Sequence, residues 1–274
     1  MVLAGPLLRV AAVQMNSGGD ESANVGAATQ AVEEAAASGA RLVALPETFH
    51  YLGPEGERPG HAHPIPGPLT RSLAGLAGRH GLLLIGGSIL EESGDPGRCY
   101  NTAVVFSPAG ELVARYRKIH LFDVNLPGGP TVTESRCYLP GEEEVVVEVE
   151  GLRLGLAICF DVRFPELFLR LRERGAEVIV LPSAFTARTG ADHWELLVRA
   201  RAADSQCFVV APNQCGQHAG AGASFGHSLV VDPWGHVVAR ADEDPTVLVA
   251  DIDLGRIEEV RKALPLRRLG SADC

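Results

Sequence analysis

The stretch Leu152-Arg-Leu-Gly-Leu-Ala-Ile-Cys-Phe-Asp-Val-Arg-Phe-Pro-Glu166 changes character at its middle. Leu152 to Ile158 is an apolar run of strand length, and Arg163-Phe-Pro-Glu166 opens a helical pattern in which Pro165 suits the first turn. Cys159 therefore stands where strand gives way to helix, a sharp turn that can present a side chain on a fixed backbone. Amide N–H groups at such a turn point toward the thiol, lowering its pKa and holding negative charge that develops beside it. A Cys at the end of an apolar strand is often only a small core residue. The polar Asp161, Arg163 and Glu166 that follow are unusual for a core, so the rest of the chain has to decide.

Outward from this stretch, strands alternate with helices. Downstream, a helix runs to Arg174 with Gly175 as its stop, followed by a strand over Glu177 to Leu181 and an irregular segment to Gly190. A helix from about Ala191 to Ser205 puts Trp194, Leu197, Val198 and Arg201 on one side. Strand Cys207 to Ala211 leads into a Gly/Ala/His loop ending near Gly226. A hairpin then pairs Ser228–Val231 with His236–Ala239, and strand Thr246 to Asp251 precedes a C-terminal helix or arm. Upstream, strand Val10 to Gln14 is followed by an amphipathic helix over Ser22 to Ser38 and a strand over Arg41 to Leu45. His50 to Gly67 is a Pro/Gly/His loop, Leu69 to His80 a helix and Leu82 to Ser88 a buried strand. A hairpin of Thr102–Phe106 with Leu112–Arg115 precedes a polar excursion from Lys118 to Gly141.

The two halves echo each other. Val-Phe-Ser107-Pro-Ala-Gly-Glu-Leu-Val-Ala-Arg115 aligns with Val-Val-Asp232-Pro-Trp-Gly-His-Val-Val-Ala-Arg240. Val43-Ala-Leu-Pro46 aligns with Ile179-Val-Leu-Pro182, and Val10–Gln14 with Gly155–Cys159. Hairpins beside crossover units imply mixed sheets, and two such halves imply two sheets face to face with helices outside. The expectation is an α/β chain forming one domain over 1–274, its body about 8–266 and a C-terminal arm over 254–274.

The formal net charge of −10 argues against nucleic acid and anionic membrane as partners. No apolar run is long enough to span a bilayer, and Met1 to Val13 lacks the pattern of a signal peptide. The six cysteines have no framework spacing and read as reduced thiols, which suits a cytoplasmic protein. Cys207, Cys215 and His218 lack the paired spacing of a zinc site, so no metal is expected. Gly222-Ala-Ser224-Phe-Gly226 matches the Gly-x-Ser-x-Gly elbow, but a loop precedes it and a strand follows, the wrong context.

A thiol attacking a carbonyl needs a base for its proton, a donor for the oxyanion and an acid for the leaving amine. Glu47, ending Leu42 to Leu45, and Lys118, breaking the stretch after the first hairpin, could supply these, although each alone reads as a solvated surface residue. Together the motifs Leu45-Pro-Glu47-Thr48-Phe, Tyr116-Arg-Lys118-Ile-His-Leu-Phe-Asp123 and Ile158-Cys159-Phe-Asp161-Val-Arg163-Phe-Pro-Glu166 resemble the Glu–Lys–Cys triad of the nitrilase superfamily, carbon–nitrogen hydrolases, over about Leu8 to Leu266. Within that superfamily, Pro182-Ser-Ala-Phe185, Thr189-Gly190-Ala-Asp-His193-Trp194-Glu195 and Asn213-Gln-Cys215-Gly216 are similar to the amidases acting on deaminated glutathione, with ω-amidases close by.

The resemblance implies an α-β-β-α sandwich and a set of roles. Glu47 deprotonates Cys159, Lys118 and the Phe160 N–H hold the oxyanion, Glu134 in Thr133-Glu134-Ser135 supports, and a thioester forms with release of ammonia. It implies no cofactor, and a homodimer or larger assembly through the helix after the nucleophile and the helix of the 190s. Phe160, Phe185, Arg188 and Thr189 are the candidate substrate contacts, Arg188 and Arg163 being cations for an anionic amide. For Arg163 the preferred reading is a structural partner of Asp161 or Glu166. The base role asks Glu47 to titrate near neutrality, which burial beside Glu134 favours.

Overall fold

The computed structural model describes residues 7–125 and 131–266. In chain order its elements are β1 Leu7–Gln14, α1 Glu21–Ala37, β2 Leu42–Ala44, α2 Pro68–His80, β3 Leu83–Glu92, β4 Cys99–Phe106 and β5 Leu112–Arg117. A short hairpin follows, β6 Asp123–Asn125 with β7 Thr131–Thr133, then β8 Val146–Val149, β9 Leu152–Leu156, α3 Pro165–Glu173 and β10 Val178–Val180. The chain continues through α4 Ala187–Ser205, β11 Phe208–Ala211, β12 Cys215–His218, β13 Gly222–Phe225, β14 Leu229–Val231, β15 Val237–Arg240, β16 Thr246–Asp253 and α5 Gly255–Ala263.

Two six-stranded sheets result, ordered β16-β1-β2-β3-β4-β5 and β15-β14-β11-β10-β9-β8. In each, three parallel strands carry an antiparallel hairpin on one side and an antiparallel edge strand on the other. Alternation along β1 shows how they stack. Val10 and Ala12 point into the core shared with the second sheet, while Ala11 and Val13 point outward under α1 and α2. Helix α2 covers its sheet with Leu69, Leu73 and Leu76, each burial contributing about 1.5–3 kcal/mol. The expected α-β-β-α sandwich is the observed architecture.

The structure corrects the alignment of the halves. Ala12 pairs with Ala44 in one sheet and Leu156 with Val180 in the other, so Ala12 matches Leu156 and Met15 matches Cys159. The sequence alignment is one residue out of step at this strand. Only the starts of β1 and β9 alternate, and there the exposed Arg9 and Arg153 match in the observed register; the aligned runs after them are buried on both faces and carry no such mark.

Three other expectations change. Helix α4 begins at Ala187, not Ala191: Gly190 lies inside it, where a Cβ would come within 2.3 Å of Phe225 Cβ, and marks a close approach to β13 instead of a break. The Gly/Ala/His segment before Gly226 is the β12–β13 hairpin. The two helices expected to carry an assembly turn their large apolar residues inward, since Trp194, Phe168 and Leu171 are fully buried within the chain; on α4 the exposed large apolar residue is Leu196. Of the arm at 254–274, α5 packs Ile257 and Val260 inward, and Arg261 donates to the Ala176 carbonyl at 3.0 Å. Positions 267–274 lie outside the described residues. No helix among the described residues is long and apolar enough to cross a membrane.

Candidate active site

The turn after β9 is held from several directions. Cys159 adopts φ +44°, a left-handed conformation that costs a non-glycine residue about 1–2 kcal/mol. Its N–H donates to the Pro182 carbonyl at 3.0 Å, and a 3-10 turn over Cys159–Arg163 follows. Asp161, fully buried, accepts the Ile158 N–H at 2.8 Å, the Tyr116 hydroxyl at 2.7 Å and the His120 N–H at 3.1 Å, with His120 Nδ1 a further 2.7 Å contact. The His120 ring stacks on Phe164. Behind the turn, Arg201 of α4 donates to the Val162 carbonyl. The strained residue is thus fixed on a braced platform. The Phe160 N–H, in the first turn of this short helix, donates to no backbone carbonyl among the described residues.

Opposite stands the end of β2. Glu47 follows Pro46, and Thr48 turns at φ +46° with its N–H on Ser88 Oγ at 2.9 Å. Gly87 allows this: at φ +57°, a Cβ there would meet the Pro46 carbonyl at 2.1 Å. The Glu47 carboxylate accepts Asn101 Nδ2 at 2.8 Å and Lys118 Nζ at 3.0 Å on one oxygen, and the Ala184 N–H at 2.7 Å on the other. Lys118 Nζ also reaches both oxygens of Glu134, at 2.9 and 3.1 Å, and Glu134 accepts the Phe122 N–H at 2.7 Å. Lys118 is thus an ammonium clasped between two carboxylates in a buried site.

Burial works against the charge of Glu47, but Lys118, the thiol of Cys159 and Asn101 outweigh it and hold the carboxyl below its usual range. Burial opposes the Lys118 charge too, and Glu134 and Glu47 keep its pKa well above the ordinary lysine value. For Cys159, burial and then the Glu47 carboxylate push the thiol well up, outweighing Lys118. Two expectations fail here. Glu47 does not rest near neutrality, because Lys118, Cys159 and Asn101 together outweigh desolvation, and the turn does not depress the thiol pKa. The resting pair is carboxylate and thiol, so the proton must move as sulfur attacks.

These groups meet in one cleft, partly open to solvent. Phe160, Phe185 and Thr189 line it with Cys159, Glu47 and Glu134. Arg188 does not; it is exposed on the first turn of α4. Arg163 does line the cleft, and among the described residues it pairs with neither Asp161 nor Glu166; its Nη2 lies 3.4 Å from His193 Nδ1. Asp161 is occupied by Tyr116 and His120, while the Arg163 guanidinium lies over the rings of Phe185 and Phe160 at 5.4 and 5.9 Å. The segment read as a Pro/Gly/His loop at 50–67 contributes Glu55 and Arg58 through a 3-10 turn over Glu55–His61. Arg58, Asn101 and Tyr138 were not singled out from sequence, because each is an isolated polar residue without a spacing signal.

The rival centres do not assemble. Ser224 lies mid-strand in β13 with its hydroxyl 2.9 Å from His218 Nε2, and Cys207 faces the Ala176 carbonyl. Among the described residues no group of His, Cys, Asp and Glu has the arrangement of a metal site. His61 and His63 both face Glu21.

Comparison with known proteins agrees with this geometry. A family description of carbon–nitrogen hydrolases matches residues 9–262. The chain is 41% identical over 267 residues to omega-amidase NIT2 of Homo sapiens, covering 97% of this chain and 95% of that protein. It is 41% identical over 258 residues to the deaminated glutathione amidase of a Synechocystis strain, covering 93% and 95%. Among solved structures, the C. elegans NitFhit protein superposes with a TM-score of 0.89 at 39% identity, over 96% of this chain and 64% of that one. A single-site mutant of the amidase from Nesterenkonia sp. AN1, whose active-site cysteine carries the acetamide moiety of fluoroacetamide, gives 0.80 at 26% identity over 96% and 97%. The chain belongs to the nitrilase superfamily of carbon–nitrogen hydrolases and is an amidase with an active-site cysteine.

Proposed function

We propose that Cys159 is the nucleophile, Glu47 the acid–base and Lys118 the oxyanion donor in hydrolysis of a small acid-bearing amide, with deaminated glutathione as the first candidate. Sulfur attacks the amide carbonyl as its proton passes to Glu47, and the oxyanion is received by Lys118 Nζ and the Phe160 N–H. Lys118 Nζ rests on one Glu47 oxygen and both Glu134 oxygens, so sharing one N–H between the two Glu134 oxygens would free a third for the oxyanion. The C–N bond breaks as protonated Glu47 returns the proton to the departing nitrogen, leaving a thioester. Glu47, again a carboxylate, takes a proton from water, whose oxygen adds to the thioester; the acid leaves and Cys159 recovers its proton. Glu134 and Asn101 hold Lys118 and Glu47 in position.

The observation that carries the substrate reading is a pair of guanidinium groups, Arg58 and Arg163, lining the Cys159 cleft of an acidic chain without a carboxylate partner in ion-pair range among the described residues. Such cations suit a substrate bearing carboxylates. Deaminated glutathione and α-ketoglutaramate, the ω-amidase substrate, would leave the same α-ketoglutaryl group on sulfur and differ in the departing amine. Ammonia leaves only from the second; the linkage in deaminated glutathione is a secondary amide, so its departing product is an amine-bearing peptide, and the expected release of ammonia holds for α-ketoglutaramate alone. A panel of deaminated glutathione, α-ketoglutaramate and an N-carbamoyl amino acid, with products identified by mass spectrometry, tests the reading. Preference for α-ketoglutaramate selects the ω-amidase alternative, and turnover of the carbamoyl compound alone rejects both. Cytoplasmic placement and a homodimer are further proposals, resting on the reduced-thiol composition and the resemblance. Light scattering that finds a 29.0 kDa species alone contradicts the dimer.

A further inference from the structure

Arg58 is a buried cation without a carboxylate in ion-pair range among the described residues. It is 8% exposed, lines the cleft, and among those residues makes one hydrogen bond, from Nη1 to the Tyr138 hydroxyl at 2.9 Å. Its Nε is buried and has no partner. Glu55 and Glu134 attract it from beyond ion-pair range, and Glu55 lines the same cleft. A guanidinium taken out of water with most of its donors idle is costly unless a ligand supplies the missing acceptors. Tyr138 is poised alongside: its oxygen accepts from Arg58, so its own proton is available, and it too lines the cleft at 1% exposure. Arg163 differs, being partly exposed and laid across Phe160 and Phe185.

The order of the reaction separates these two cations. The acyl half stays on Cys159 through both steps, whereas the amine half departs first and must reach solvent. We propose that Arg58 and the Tyr138 hydroxyl bind the carboxylate of the acyl half, and that Arg163 faces the departing half. This rests on the reading of the substrate as an acid-bearing amide. It makes Arg58 a specificity residue: the same chemistry should run on a neutral amide without it.

Succinamate and butanamide are similar in length and differ in a terminal carboxylate, so they isolate this interaction. The wild type should favour succinamate. Arg58→Met should lower kcat/KM for succinamate about 10²-fold, mainly through KM, while butanamide changes by no more than about twofold. Arg58→Lys should recover part of the loss, and Tyr138→Phe should raise KM several-fold for succinamate only. Without turnover, glutarate should slow iodoacetamide alkylation of Cys159 in the wild type and not in Arg58→Met. Equal losses on both amides would assign Arg58 to supporting Glu134 and Lys118, overturning the proposal, as would a wild type indifferent to the carboxylate. Should Arg58→Met not fold, the wild-type preference, glutarate protection of the wild type and Tyr138→Phe decide. A wild type that cleaves neither α-keto amide but discriminates succinamate from butanamide through Arg58 refutes the substrate named above and keeps this site. Turnover of α-ketoglutaramate unaffected by Arg58→Met does the reverse.

Discussion

At the end of β9 the chain turns through Cys159 at φ +44°, while at the matching end of β1 Met15 makes no such turn and is stitched to the other half. Met15 accepts the Cys215 N–H at 2.8 Å, and Gln14 beside it donates to the carbonyls of Asp242 and Asp244. The ends of β2 and β10 diverge in the same way. One carries Glu47 toward the cleft; the other carries Ser183, whose hydroxyl folds back on the Leu181 carbonyl at 3.1 Å. Thiol and acid therefore come from opposite halves, at non-equivalent strand ends. The repeated frame brings the ends together, and chemistry requires that the repeat be broken at each.

The sharpest way to break this comparison is Cys159→Ala. We expect turnover to be abolished with the fold retained, because one sulfur at a braced turn opens little core volume. Activity that persists in a preparation free of wild type would move the nucleophile elsewhere; intact-mass spectrometry with substrate should show an acyl adduct on the wild type alone.

Glu47→Gln tests the other side. It keeps the shape while removing the proton acceptor, and about 10²–10⁴-fold should be lost from kcat. Glu134→Gln should cost less, since Glu134 contacts Lys118 and acts through it. Equal losses would promote Glu134 to a full chemical partner.

Lys118→Met should lower kcat by about 10²–10³-fold with a smaller effect on KM, its charge mattering most when the oxyanion forms. It should also move the pH profile. Glu47 is held low in the native site, so activity should persist as pH falls through the usual glutamate range and be lost only below it. The linked stability has the same sign: fully present above the unfolded glutamate pKa, and lost as pH falls through the depressed native value. Without Lys118, Glu47 keeps its burial and loses its main opposing charge, so the acid limb of the residual activity should shift upward. An unchanged limb would show that another group sets it.

Much of this arrangement was legible in the sequence, because it is written in strand ends and local patterns. The run Leu152 to Ile158 before Cys159, Pro46 before Glu47 and the paired hairpins at Ser107 and Asp232 each announce themselves within a few residues. What escaped is non-local. The brace of Tyr116 and His120 on Asp161 joins β5 and the following segment to the turn after β9, and no spacing encodes it. Arg58 lay in a Pro/Gly/His stretch that read as surface loop. The charge states of Glu47 and Cys159 depend on whether the neighbours together outweigh burial, as they do at the carboxyl and do not at the thiol.

The smallest effect contrasts two thiols of the same half. Cys207 precedes β11, fully buried, with its sulfur 3.1 Å from the Ala176 carbonyl and 3.3 Å from that of Ser205. Its surroundings alone suggest that a hydroxyl would be stranded among apolar groups at a cost in stability. Those two carbonyls change the expectation, since a serine hydroxyl donates to either more strongly than a thiol does, and Arg261 also stands 3.4 Å away. Cys207→Ser should therefore leave kcat unchanged and shift stability by less than about 1 kcal/mol in denaturant unfolding. A loss of several kcal/mol would mean that the shorter C–O bond cannot reach its carbonyl. A loss of activity would mean that the packing of α3, α5 and β11 around this thiol reaches the turn that holds Cys159.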